Sequence, residues 1–253
     1  MIYVNGDSWS QKSNGEIDYS WPKLLQENIK GTVINQSAGC GSNSRMLANL
    51  HSAYQGGLRP DLILIGLTSF QRWHLPSRLG SVWNIGPTVI NDRFSSKDET
   101  ILNWYHKHVF DELEYLYQYY NLIWQIHELG KNYFQCPVIF FNAWDTEITK
   151  IHSTIFDTTN NNWIKSLVED PNDYAVLNYI NYFNFFKSKF NDLTLYINSW
   201  TDFLTLHIDG PTDLHPGHPS PDGHKLISEY IISIIKENVP EIWSKYTKDE
   251  VIQ

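Results

Sequence analysis

The chain has 253 residues, 42% of them hydrophobic, which allows one sizeable core and fits a single α/β unit with insertions. Its formal net charge of -9, with no basic stripe, argues against a nucleic-acid partner, because phosphate backbones repel an acidic surface. Two cysteines, Cys40 and Cys136, make no disulfide scaffold and have no zinc spacing, so they read as buried free thiols.

Residues 1–7 lack the basic region and long apolar run of a signal peptide. The expectation is a soluble chain made in a cytoplasm, with later release or association with a particle left open. No apolar stretch approaches the length of a bilayer span, so no membrane partner is expected. Residues 2–5 are a short apolar segment that ends at Gly6-Asp7-Ser8 and reads as a buried first strand. A helix opens at Ser20-Trp21-Pro22, with Ser20 as N-cap and Pro22 in the first turn. Residues 31–35 form a second strand, Gly39, Gly41 and Ser42 a loop, and residues 44–54 a helix. The run Leu62-Ile63-Leu64-Ile65-Gly66 is the strongest strand signal, and its lack of alternation predicts burial on both faces.

Residues 76–98, rich in Pro, Gly, Asn and Ser, read as a long loop near the site, and residues 100–129 as a long helical stretch. Together they predict an insertion around residues 76–130. Residues 137–142 are another buried strand, and residues 143–200 are weakly patterned, with an aromatic-rich, partly helical end over 176–200. A final helix over residues 223–237 places Leu226, Ile227, Tyr230, Ile231 and Ile234 on one face. Strands alternating with helices predict a three-layer αβα sandwich around a central parallel sheet, formed by one domain over residues 1–253. Ligands of such sheets bind beyond the carboxyl ends of the strands. Ser8, Gly41 and Thr68 each follow a predicted strand, so all three fall at that edge.

A serine hydroxyl needs a general base, and the base needs an orienting carboxylate. The base is sought in Asp213-Leu214-His215-Pro216-Gly217-His218-Pro219-Ser220-Pro221-Asp222-Gly223-His224, a stretch stiffened by prolines just before the last helix. Donors for a developing oxyanion are sought in the Ser8 N–H, the Gly39-Cys40-Gly41 loop and the Asn43 side chain. A glycine there allows close approach or positive φ. Trp9 and His74 are candidate pocket-lining side chains, although single aromatics beside a turn more often serve packing. Asp145, after the strand at residues 137–142, is a further substrate-binding candidate. His106 and His108 lie two apart in a predicted helix and point to different faces, which is poor metal geometry; no metal or other cofactor is expected.

The arrangement resembles the SGNH (GDSL-type) hydrolase superfamily. The first block matches Gly6-Asp7-Ser8, the second Gly41-Ser42-Asn43, and the last His218-Pro219 leading into Gly223 and the final helix. The resemblance implies the flavodoxin-like fold of that superfamily and an acyl-transfer esterase with Ser8 as nucleophile. Two departures stand out. Thr68 occupies the position at which the family carries an oxyanion-binding Asn, in Gly66-Leu67-Thr68-Ser69, with Arg72 as a further contributor to substrate or loop. The usual acid position, three residues before His218, is taken by His215. Asp213 is therefore the carboxylate candidate, with Asp209 further upstream. His218 is favoured as base because Pro219-Ser220 and Gly223 follow it, His215 is its rival, and His224 is read as packing.

The implied substrate is a small-molecule or carbohydrate ester. The 15% aromatic content is compatible with a sugar O-acetyl ester, and short-chain lipid or aryl esters are equally allowed. The alternatives are a binding or structural protein that keeps the fold with weak catalysis, and an O-acyltransferase. If His218 is the base, His218→Ala loses more ester hydrolysis than His215→Ala when both are assayed side by side; equal, small losses refute the assignment.

Overall fold

The computed structural model of the chain describes residues 1–12, 18–39, 41–70, 73–76, 82–85, 112–143, 174–196, 198–205 and 218–247. Its strands are β1 (Ile2–Asn5), β2 (Val33–Asn35), β3 (Leu62–Leu67), β4 (Trp73–Pro76), β5 (Val82–Ile85), β6 (Val138–Asn142) and β7 (Thr194–Tyr196). Its helices are α1 (Trp21–Asn28), α2 (Asn43–Gln55), α3 (Glu112–Leu129), α4 (Tyr174–Lys189), α5 (Trp200–Thr205), α6 (Pro221–Asn238) and α7 (Pro240–Tyr246).

Five strands form one sheet in the order β2-β1-β3-β6-β7. Every pairing in it is parallel, with Ile2 opposite Val33 and Leu62, Ile63 opposite Val138, and Ile139 opposite Thr194. All residues of β1, β3 and β6 are buried, as expected of strands covered on both faces. Their side chains alternate between two cores. Tyr3, Ile63, Ile65, Leu67, Val138 and Phe140 face the layer that holds α2, α3 and α4. Ile2, Val4, Leu62, Leu64, Ile139 and Phe141 face the layer of α1, α5, α6 and α7. The three-layer αβα sandwich is thus observed, and its sheet order reverses direction between β1 and β3.

Local sequence explains where the helices begin. Ser42 accepts a hydrogen bond from the Arg45 N–H at 3.4 Å to start α2, and Ser220 accepts one from the Gly223 N–H at 3.1 Å to start α6. Pro22 and Pro221 sit in first turns, where a missing N–H costs nothing. Asp222 adds a favourable charge at the N-terminal end of the α6 dipole.

Three elements differ from the sequence reading. β4, just before the stretch read as loop, pairs antiparallel with β5 inside it, because Pro and Gly punctuate a short ribbon as they do a loop. α3, expected as a helix, supplies Leu116, Tyr120, Ile123 and Ile126 to the core. β7 is an edge strand of three half-buried residues, too short to show a periodicity. Cys136 is a buried free thiol, and burial pushes its pKa up to about 12. Cys40 lies outside the described residues. Among the described residues, no helix is long and apolar enough to cross a membrane.

Phe141 is fully buried and lies against Tyr196 and Trp200, with ring centroids 5.7 and 5.8 Å away. Phe141→Ala is expected to lower the unfolding free energy by about 3–5 kcal/mol in a urea titration, through lost burial plus the cavity left behind.

Candidate active site

β1 delivers the chain to a tight turn. The Ser10 N–H donates to the Asp7 carbonyl at 3.1 Å, closing a turn over residues 7–10 with Ser8 near its apex. The Asp7 carboxylate accepts the Trp9 N–H at 3.0 Å, as Asp side chains do in Asx turns. Asp7 and Ser10 are fully buried, whereas Ser8 is partly exposed. The turn therefore buries its supports and presents its hydroxyl.

Ser10 was not singled out in the sequence, yet it ties this turn to its neighbours. Its hydroxyl accepts from the Trp21 indole N–H of α1 at 3.2 Å, and its carbonyl accepts from Asn35 of β2 at 2.7 Å. A Cβ on Gly6 would lie 2.6 Å from Ser10 Oγ, and one on Gly66 would lie 2.8 Å from the same atom. Both glycines are thus needed for close approach. Nothing in the spacing of Ser10 reveals this role, because Gly66 reaches it from another strand.

His218 stands immediately before α6, in the capping segment His218-Pro219-Ser220. Its Nε2 lies 2.8 Å from Ser8 Oγ, across 210 positions of sequence. The helix behind it is fixed by Ile227, Ile231 and Ile235, all fully buried against the sheet. His224 is 5% exposed and its ring centroid lies 5.7 Å from that of Tyr19, so it packs at the start of α6, as read from the sequence. Asp213, His215, Arg72, Asp209, Asp145, His106, His108 and the side chain of His74 lie outside the described residues. Trp9 is 4% exposed and belongs to the core beneath α1 and α6, which is the packing role single aromatics beside a turn more often have.

The side chains expected to hold an oxyanion are arranged otherwise. The Gly41 N–H donates to the Ala38 carbonyl at 2.9 Å. Gly41 is required by crowding rather than by positive φ, since a Cβ would lie 3.0 Å from the Ala38 oxygen and 3.1 Å from the Gly6 oxygen. Asn43 donates to the Thr68 carbonyl and accepts the Thr68 N–H, both at 3.0 Å. The fully buried Thr68 hydroxyl donates to Asp7 Oδ2 at 3.0 Å. These groups are brought to the strand edge beside Ser8, and there they bond to the protein itself. Among the described residues, no hydrogen bond from the Ser8 N–H is found.

A cavity of about 350 Å³ lies between α1 and β2, with Gln11, Lys12, Lys23, Gln26, Val33 and Asn35 in its wall. A somewhat larger one, about 400 Å³, lies beside His127 and Pro137 at the start of β6, the sheet edge opposite Ser8, and has no part in this site. Among the described residues, no three His, Cys, Asp or Glu side chains converge as metal ligands would.

No family model matches the sequence, and no curated protein matches it. Solved structures do. The crystal structure of TesA superimposes with a TM-score of 0.50 at 14% identity, covering 93% of this chain and 98% of that one. The chain has the SGNH hydrolase fold. A lipolytic protein of the G-D-S-L family from Veillonella parvula gives 0.49 at 14% identity, over 93% of this chain and 97% of that one. On the SGNH fold of this chain, the segments carrying Ser8, Gly41, Thr68 and His218 meet at one sheet edge, in the order in which the sequence blocks occur.

If Gly6 makes room for Ser10, Gly6→Ala is expected to destabilise the fold by about 1–3 kcal/mol in a denaturant titration, the usual cost of overpacking. An unchanged midpoint would show that the turn shifts without cost.

Proposed function

We propose that this chain hydrolyses esters by acyl transfer through Ser8. The observation that carries the reading is the 2.8 Å contact between Ser8 Oγ and His218 Nε2 at the carboxyl edge of a parallel sheet. Ser8 Oγ attacks the ester carbonyl carbon while its proton passes to His218 Nε2. The carbonyl oxygen becomes an oxyanion that accepts the Ser8 N–H. His218 then returns the proton to the leaving alkoxide as the tetrahedral species collapses to an acyl-enzyme. Water attacks the acyl carbon, His218 takes a water proton, and collapse releases the acid as that proton returns to Ser8.

Asp213 is proposed to orient the His218 imidazole, and the contact with Ser8 favours His218 over His215 as base. The proposed substrate is a short ester on a polar parent, such as an O-acetylated carbohydrate. The aromatic content lends this choice little support, because Trp9, Trp21 and Trp200 are core residues. A second reading, a protein of this fold with weak catalysis, is favoured by one observation: Gly41, Asn43 and Thr68 direct their donors at the protein.

Ser8→Ala, compared with the unchanged protein on a panel of acetyl esters, is expected to lose at least about 10³-fold in kcat/KM and all labelling by a fluorophosphonate. Hydrolysis that persists in Ser8→Ala, or its absence from both proteins across the panel, would overturn the esterase reading.

A further inference from the structure

We propose that Thr68 is a positioning residue that holds the Ser8 turn through the Asp7 carboxylate, in place of the oxyanion-donor role that the resemblance assigns to its position. The inference rests on Ser8 being the nucleophile. A carboxylate accepts hydrogen bonds, and a threonine hydroxyl has one proton to donate. That proton goes to Asp7 Oδ2 at 3.0 Å. An asparagine at the same place has two N–H protons, enough to meet Asp7 and an oxyanion together. Threonine serves one of them, and here it serves Asp7.

The consequence runs through the turn. Asp7 uses its other carboxylate oxygen to hold the Trp9 N–H at 3.0 Å and its carbonyl to hold the Ser10 N–H at 3.1 Å. The residue before Ser8 thereby fixes the two residues after it. Thr68 is in turn clamped by Asn43 on α2 through a reciprocal pair of 3.0 Å hydrogen bonds. Asp7 and Thr68 are fully buried and Asn43 is 3% exposed, so water does not compete for these bonds. A rigid path therefore leads from α2 through Asn43, Thr68 and Asp7 to the turn that sets Ser8 against His218. Turning the Thr68 hydroxyl toward substrate would take this donor from a buried carboxylate, an unfavourable exchange.

The test compares Thr68→Val, which removes the proton at nearly constant shape, with Thr68→Ser, which keeps it, and with Asp7→Ala alone and combined with Thr68→Val. Folding is checked by thermal melting, and Thr68→Ala replaces Thr68→Val if the latter does not fold. Positioning predicts that Thr68→Val lowers kcat for an acetyl ester about 10-fold with KM within about twofold, and that Thr68→Ser restores most of it. Added to Asp7→Ala, Thr68→Val should cost nothing further, because both act through one contact. A separate loss of about 10²–10³-fold from Thr68→Val in the Asp7→Ala background is the mark of a direct oxyanion donor and overturns the proposal.

NMR of the His218 imidazole reads the Ser8 contact without turnover. Matching shifts in Thr68→Val and Asp7→Ala, absent in Thr68→Ser, support the path even if no ester is hydrolysed, a result that would count against the esterase reading alone. An unchanged His218 signal in folded Thr68→Val overturns the proposal.

Discussion

Every strand of the main sheet runs the same way, and the candidate site depends on that constraint. Parallel pairing brings the carboxyl ends of β1, β2, β3 and β6 to one edge, and each return passes through a crossover on the sheet's face. The crossover through α1 lies on one face and that through α2 on the other. The change of face occurs between β1 and β3, and this is where a doubly wound sheet opens a crevice. Ser8 leaves β1 and Thr68 leaves β3, so the turn with the hydroxyl and the residue that braces it flank that crevice. His218 comes after the last strand, β7, and is held in its place by α6.

The polar groups beneath Ser8 form a connected, buried set, and that is what makes the turn specific. A buried donor or acceptor without a partner is costly, so a satisfied network tolerates few rearrangements. Asp7 is bonded to Trp9, Ser10 and Thr68, and Thr68 to Asn43. Ser10 joins the same turn to α1 and β2. The rigidity has a chemical consequence. Groups that build the floor of the site, Gly41, Asn43 and Thr68, are already engaged there. A chain of this design balances order at the nucleophile against donors for the charge that develops in the reaction.

Much of the fold was legible in the sequence because burial on both faces writes itself plainly. β3 and β6 are continuous apolar runs, and α6 begins with a cap, a proline and an apolar stripe. The elements missed were those whose stability comes from neighbours. β7 is three half-buried residues held at the sheet edge by β6, and the β4–β5 ribbon has only four residues in each strand, too few to show a period. α3 was legible as a helix, but its place in a layer follows from the sheet it covers, which no local pattern records. Its aromatic residues illustrate the point: Tyr115, Tyr119 and Tyr120 are core side chains, not a binding surface.

The sequence by itself determined that a serine stands in a turn after a buried strand, and that glycines, an asparagine and a threonine follow the next strands of the same edge. Local rules suffice for that, because strand burial, turn chemistry and helix caps are properties of neighbouring residues. Only the tertiary structure decided that His218 reaches Ser8, that Trp9 is core, that Gly41 is needed for crowding, and that the Thr68 proton belongs to Asp7. Each of those outcomes depends on which group occupies the space beside a given atom. Residues far apart in the chain settle that question, and a hydroxyl with a single proton admits one answer at a time.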